Sequence, residues 1–405
     1  MRFVILGGSA SATPELADAL ADWPGGTERR PTLEVVLQGR SADRLELVAS
    51  EMRRRVASLP GAPVTVSTRT ELAAALEGAD VVLNAVRIGG LAARVFDESY
   101  PQRHGCPGEE TMGPGGLANA LRTVPVVRAS WATVMDVAPA ALRINLTNPS
   151  GIVVAALERE FGARVFSVCD SPVVFCDKIA DRLGVASTDV RLRYQGMNHL
   201  GWWLPRDEAE LEATLDLAVG QEADAVRAQA AIGAPYVRFY VHPDRILQTQ
   251  LAADETRAQQ LQRLEAELLA GYASQAGDLP RRGAVWYATA VLPLVDAWFN
   301  GSDEAIIVGM RNDGRIAGLP DDVISEGPVR IPRPGHVEPL AVPPLPPLPA
   351  AMLAAHARFE AMAVDATSPA AGRVDRVRAM LANPMVPSYD VAADLVGAIE
   401  SGSPS

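Results

Sequence analysis

Cysteine is nearly missing from this chain: 405 residues hold three, Cys106, Cys169 and Cys176. So sparse and odd a set excludes a disulfide framework and leaves each thiol packed or used singly. Lysine is rarer still, with Lys178 alone, so nearly all positive charge is arginine. No apolar run reaches membrane-spanning length. Basic residues are outnumbered, and the net charge is -12. That balance argues against a general nucleic-acid binder, which needs a basic surface to displace counterions. A small anion stays within reach, because a few arginines make a local positive pocket. The start "MRFVILGGSA" reads as a strand running into a glycine turn, not as a signal peptide. The expectation is a soluble cytoplasmic protein with neither membrane nor nucleic acid among its partners.

What is present is a large apolar fraction, 48%, enough for a sizeable core and two or three domains. Strands and helices alternate through the first half. "RFVILGG" (Arg2–Gly8) and "TLEVVLQGR" (Thr32–Arg40) read as strands. The charged helix "SADRLELVASEMRRRVASL" follows, with Ser41 placed as its N-cap. "PVTVSTR" is a short strand, and "ELAAALEGADVVLNAVRIGG" a helix and then a strand ending at Asn84. "PAALRINLTNPSGIVVAALERE" gives strand, Asn148-Pro149 turn and helix; "ARVFSVCDSP" gives another strand and turn. Such alternation implies a parallel, doubly wound sheet, and a strand–glycine–helix start suits a dinucleotide. After "NHLGWW", taken as a strand, the alternation fades into helices, and "PLAVPPLPPLPAAM" reads as an extended crossover. The expected division is a Rossmann-like domain over 1–168 and a metal- and substrate-binding domain over 169–405.

Several residues carry chemistry at these strand ends. Gly7, Gly8 and Ser9 sit in the first strand–helix loop, where backbone N–H groups can face a pyrophosphate. They are not a full G-x-G-x-x-G. Asn84 ends the fourth strand, on the same side. The second strand ends in Gly39, Arg40, Ser41 and Arg44, where an acidic side chain usually holds the ribose hydroxyls. Arginine and a hydroxyl there suit a 2′-phosphate, so NADP+ stands open beside NAD+. Cys169 and His199 could share a divalent metal, against the alternative that each is a buried core group. Glu109 and Glu110 precede the glycine-rich "MGPGG", which is either a ligand approach or a sharp turn. Arg87 and Arg94 are candidate anion clamps.

Taken in order, "RIGGLAARVFDESYPQRHGCPGEETMGPGGLANALRTVPV", "INLTNPSGIV", "VCDSP", "GMNHLGWW", "APYVRFY", "ETRAQ" and "MRNDGRIAGLPDDVISEGP" resemble glycoside hydrolase family 4. These are the NAD- and metal-dependent glycosidases that depart from the two-carboxylate scheme. The resemblance runs over most of the chain. It implies the lactate and malate dehydrogenase architecture: a Rossmann-like parallel sheet, then a mixed α+β, largely helical domain. It implies Cys169 and His199 as ligands of Mn2+ or another divalent metal, with Asn148 and Asn198 on the sugar. Asp170 would protonate the leaving group, and Tyr236, preferred over Tyr240, would be the base. Arg94, Glu110 and Arg257 would bind substrate, commonly a sugar 6-phosphate, with Arg257 also able to reach a neighbouring subunit. A homodimer or homotetramer is implied.

The implied chemistry is oxidation of the sugar at C3 by NAD+, deprotonation at C2, elimination of the aglycone, hydration and re-reduction. The ketone acidifies the C2 proton, and a metal stabilises the enolate as a Lewis acid. A tyrosine serves as base only where a cation favours its phenolate. Two features depart from the family pattern: the first loop reads "GGSAS" where three glycines and a serine are usual, and Gly39 replaces an acidic residue. The altered loop motivates a second reading, an NAD(P)-dependent sugar epimerase or dehydrogenase on the same fold. Within the family, Asp170 is more typical of members acting on α-linked sugars, while the compact length and the tail resemble the β group, so both anomers stay open.

Overall fold

The strand Arg2–Leu6 (β1) is buried from Phe3 onward, as a central strand of a parallel sheet must be. The computed structural model describes residues 1–21, 23, 32–59 and 64–402. β1 is flanked in parallel by Leu33–Gln38 (β2) and Val81–Asn84 (β4), with Ile5 opposite Leu37 and Leu83. Val64–Arg69 (β3), Leu142–Asn145 (β5) and Phe166–Ser167 (β6) complete the parallel half, in the order β3-β2-β1-β4-β5-β6. That is the doubly wound order, with its topological switch between β1 and β4. Side chains on β1 alternate between two cores. Val4 and Leu6 join the one that includes Leu117, Trp131 and Ile152, and Phe3 and Ile5 join the one that includes Leu16, Leu45 and Leu294. Each fully buried Leu, Ile or Phe contributes roughly 1.5–3 kcal/mol.

The sheet then turns antiparallel. Tyr194–Met197 (β7), Leu200–Trp203 (β8), Ile232–Gly233 (β9), Ser302–Arg311 (β10), Ile324–Arg333 (β11) and His336–Pro339 (β12) extend it in the order β10-β11-β7-β8-β9, with β12 on β11. The join is β6 with β10, where Ser167 pairs with Gly309. A division after residue 168 therefore crosses one continuous sheet.

Two local readings differ from expectation. "NHLGWW" is not one strand: Asn198 and His199 form the tip of a two-residue hairpin between β7 and β8, with His199 at φ 66°. No Asn-Gly or Asp-Gly pair announces this turn, so the residue pattern hid it. The helix expected across "EAELEATLDLAVGQEADAVRAQAA" is two short helices, Glu208–Thr214 and Ala223–Gln229, parted at Gly220 with φ 77°. The proline-rich crossover is irregular to Pro346, and its last prolines open the helix Pro347–Ala366.

Candidate active site

The carboxyl ends of β4, β5 and β6 are stapled together by buried polar groups. Asn84 Nδ2 donates to Asn145 Oδ1 (2.8 Å), Asn145 Nδ2 donates to Ser150 Oγ (2.7 Å), and Ser150 Oγ lies 2.6 Å from Ser167 Oγ. Asn119 Nδ2 donates to the carbonyls of Glu110 and Asn148, both at 3.1 Å, and so ties the acidic loop to the Asn148 turn. Above this floor lies a cleft of about 1430 Å³. Of the candidate residues, Gly7, Ser9, Arg40, Ser41, Arg44, Arg94, Glu110, Asn148, Cys169, Asp170, His199, Tyr236 and Arg257 all line it. Gly8, Asn84 and Asn198 do not line it. A Cβ on Gly8 would sit 2.8 Å from Leu37 Cα, so that glycine lets β1 and β2 approach each other.

The glycines of "MGPGG" serve packing. A Cβ on Gly115 would collide with the carbonyls of Asp97 and Glu109, and one on Gly116 with that of Thr111. Their closeness lets the helix Pro114–Val137 press the Glu109–Thr111 loop into the cleft wall. Glu109 Oε2 accepts from the Thr111 and Met112 amides, both at 2.6 Å, while its Oε1 lies 3.6 Å from His199 Nδ1. Glu110 binds Arg87 at 2.5 Å and Arg94 at 3.0 Å. Burial opposes its ionisation, but the two guanidinium groups outweigh that and hold its pKa down at about 2.

Cys169 ends the turn before the helix Ser171–Leu183, and Asp170 is the N-cap of that helix. The β7–β8 hairpin brings His199 to Cys169, with an interaction between the two side chains. The imidazole of His199 stacks on Tyr236, centroids 4.0 Å apart and planes 5° from parallel. Burial alone would lower the His199 pKa; Tyr236, Cys169 and Glu109 outweigh it and drive it well above the ordinary value. These surroundings thus favour a positive charge at His199. Burial raises Cys169 and Asp170 above their usual ranges. His199 pulls the Tyr236 phenol down, but burial, Glu109 and Cys169 leave it raised. Tyr240 lies outside the cleft, with its hydroxyl 2.6 Å from His356 Nδ1.

Two residues that the sequence reading passed over belong here. Arg282 lines the cleft, and burial beside Arg94, Arg87 and Arg257 lowers its pKa to about 10. Such a cluster of like charge suits an anion. Its sequence cue was the doubled arginine of "LPRRGAVWY". Glu326 is buried on β11 beneath the hairpin, paired opposite Gly196, and accepts from Tyr194 Oη at 3.0 Å. A carboxylate among the apolar residues of β11 was its only cue.

Burial pushes Glu326 up to about 7 from 4.5. The folded chain therefore holds this proton more tightly than the unfolded chain. The stability it contributes is complete below about pH 4.5 and is lost as pH rises towards 7. Glu326→Gln will shrink the fall in melting temperature between about pH 5 and about pH 8, by the equivalent of about 2 kcal/mol. Thermal melts in EDTA at the two pH values read this; an unchanged fall would refute it.

The donor set suits a divalent ion. His199 Nδ1 and Asn198 Oδ1 are buried without a hydrogen-bond partner. A thiol and an imidazole are the ligand types a borderline-soft ion accepts. Among the described residues no group of three or more His, Cys, Asp or Glu forms a metal site.

A doubly wound sheet whose carboxyl edge opens on a cleft holding a Cys–His pair, Tyr236 and seven arginines defines an α/β enzyme of the dehydrogenase type of architecture. Malate dehydrogenase from Naegleria fowleri shares that fold at TM-score 0.54 and 14% identity, covering 91% of this chain and 98% of its own. The chain belongs to the family 4 glycosyl hydrolases: residues 2–185 match the family model and residues 194–386 its C-terminal domain. It is thus a glycoside hydrolase. It is 28% identical over 415 residues to the 6-phospho-beta-glucosidase of Thermotoga maritima (98% of this chain, 97% of the relative). It is 25% identical over 429 residues to a phospho-alpha-glucosidase of Clostridium acetobutylicum (97% and 95%). A structure of the Thermotoga maritima enzyme with manganese, NAD+ and glucose-6-phosphate aligns at TM-score 0.86 and 26% identity, covering 98% of this chain and 97% of that one.

Proposed function

We propose that this chain hydrolyses a 6-phosphoglucoside with a nicotinamide dinucleotide and a divalent metal, Mn2+ first among candidates. The observation that carries this is the single cleft running from the Gly7–Ser9 loop to Cys169, His199 and Tyr236, with Arg94, Arg257 and Arg282 on its wall. Cys169 and His199 would hold the metal. Gly7, Ser9, Arg40, Ser41 and Arg44 would hold the dinucleotide. When bound, the dinucleotide supplies reversible hydride transfer and the metal supplies Lewis acidity.

The chain's own groups do the rest. The arginines, only partly neutralised by Glu98 and Glu110, receive the substrate phosphate and so place the sugar ring against Tyr236. The Tyr236 side chain, held flat by the His199 ring, takes the C2 proton as its phenolate, the form that His199 favours. Asp170 keeps its proton more readily than an exposed carboxyl does, which fits an acid that protonates the departing oxygen. Asn148, fixed from behind by Asn119, presents its side chain to a sugar hydroxyl. Full-length similarity to phosphoglucosidases favours hydrolysis over the epimerase or dehydrogenase reading. We place the chain in the cytoplasm, in keeping with its three free cysteines. The assembly is a homodimer or homotetramer, which sedimentation will read.

Nitrophenyl glucosides of both anomers, with and without the 6-phosphate, should be offered with dinucleotide and Mn2+. Turnover of a phosphorylated substrate that stops in EDTA is expected. Full rate in EDTA, or steady accumulation of reduced dinucleotide without nitrophenol release, would defeat the proposal.

A further inference from the structure

The end of β2 is where a Rossmann-type sheet sorts its cofactors. A carboxylate there binds the adenosine ribose hydroxyls and repels a phosphate on the 2′ oxygen. In this chain the position is Gly39, followed by Arg40 and Ser41. A Cβ on Gly39 would press at 3.3–3.4 Å on Leu45 and 3.4 Å from Ser9 Oγ, so an acidic side chain enters only if Leu45 gives way.

Two arginines line the cleft at this edge, and they are in different states. Arg44 is engaged: its Nη2 binds Glu265 at 2.7 Å and its Nε donates to the Ser9 carbonyl at 3.0 Å. This pairing also neutralises the carboxylate of Glu265, which lines the same cleft. Arg40 is exposed and, among the described residues, has neither an ion pair nor a hydrogen bond. An unpaired guanidinium one residue beyond a missing carboxylate is more complementary to a phosphate than to a hydroxyl, since charge and the guanidinium fork both match the phosphate.

We propose that this chain binds NADP+ in preference to NAD+, with Arg40 as the clamp on the 2′-phosphate and Gly39 as the position that ceases to exclude it. The proposal rests on the dinucleotide reading above and narrows it to the 2′-phosphorylated form. Ser41 Oγ accepts from the Arg44 amide as the helix N-cap, which leaves its O–H free to donate to the same phosphate.

Equilibrium binding to the purified full chain, freed of dinucleotide, decides this without recourse to turnover. Titration calorimetry with NADP+ and NAD+ should show NADP+ tighter by about tenfold to a hundredfold, the range of a charge-assisted contact. The pair 2′,5′-ADP and 5′-AMP, which differ only in the 2′-phosphate, should differ in the same direction, which isolates that phosphate from the nicotinamide end. In Arg40→Ala the ratio of the two affinities falls towards one; in Gly39→Asp it inverts. Using the ratio removes any general loss of binding competence. NAD+ binding as tightly as NADP+, or a ratio that survives Arg40→Ala, would overturn the proposal and leave the dinucleotide reading standing. Binding of neither dinucleotide would sink both.

Discussion

Cys169→Ser will bind Mn2+ at least about a hundredfold more weakly than the parent and lose hydrolysis in step. The figure is a lower bound, because losing a group that merely orients a ligand already costs 10–100-fold. The thiol sits in the turn between β6 and the helix Ser171–Leu183, facing the cleft, so its exchange for a hydroxyl leaves both cores untouched. The melting temperature in EDTA should stay within about 3 °C of the parent. His199 needs a more careful variant. Its φ of 66° places it in the left-handed region, where alanine adds backbone strain to the lost imidazole. His199→Asn separates the two effects, since asparagine tolerates that conformation and cannot reproduce both the reach and the basicity of the ring. Manganese titration, turnover and a melt on each variant give three independent readings. Normal Mn2+ affinity in Cys169→Ser with full turnover would remove this residue from the metal site.

How much of this was legible without coordinates depends on range. The alternation of "RFVILGG", "TLEVVLQGR" and "DVVLNAV" dictates buried parallel strands, and the carboxyl ends of such strands face one crevice by topology alone. The cleft therefore gathers Gly7, Asn148 and Cys169 for reasons already present in the pattern. Two features escaped because they depend on contacts between distant segments, and a third because no turn-forming residue marks it. Asn84 reads as a cleft residue by position, yet its amide is spent on Asn145 from the next strand, a partner no local pattern shows. The hairpin at Asn198-His199 is set by the pairing of Tyr194 with Trp203 and Met197 with Leu200, not by turn-forming residues. Glu326 and Arg282 lie more than 80 positions from His199 and matter only because the antiparallel strands and the segment before Trp286 fold back over the site. The glycines of "MGPGG" invite a ligand reading and turn out to be set by the carbonyls of Asp97, Glu109 and Thr111, which leave no room for a Cβ.

Tyr236→Phe will lower turnover by about 10²–10⁴-fold, the usual worth of a positioned proton-transfer group. The substitution removes one oxygen and keeps the ring, so the 4.0 Å stack on His199 and the packing beside Phe239 persist. Dinucleotide and Mn2+ affinities should change little, which separates this variant from Cys169→Ser. Tyr240 cannot stand in, because it lies outside the cleft with its hydroxyl 2.6 Å from His356 Nδ1. Two further readouts test the assignment beyond loss of rate. In the parent, the phenol is raised by burial, Glu109 and Cys169 against the opposing pull of His199, so rate should climb with pH on the alkaline side as phenolate accumulates. That limb should vanish in the variant. A substrate carrying deuterium at C2 should show a larger isotope effect in Tyr236→Phe, because proton removal becomes the slow step. If the variant keeps its alkaline limb and turns over within about threefold of the parent, the C2 proton leaves by another route and Asp170 or a bound water must be tested as the base.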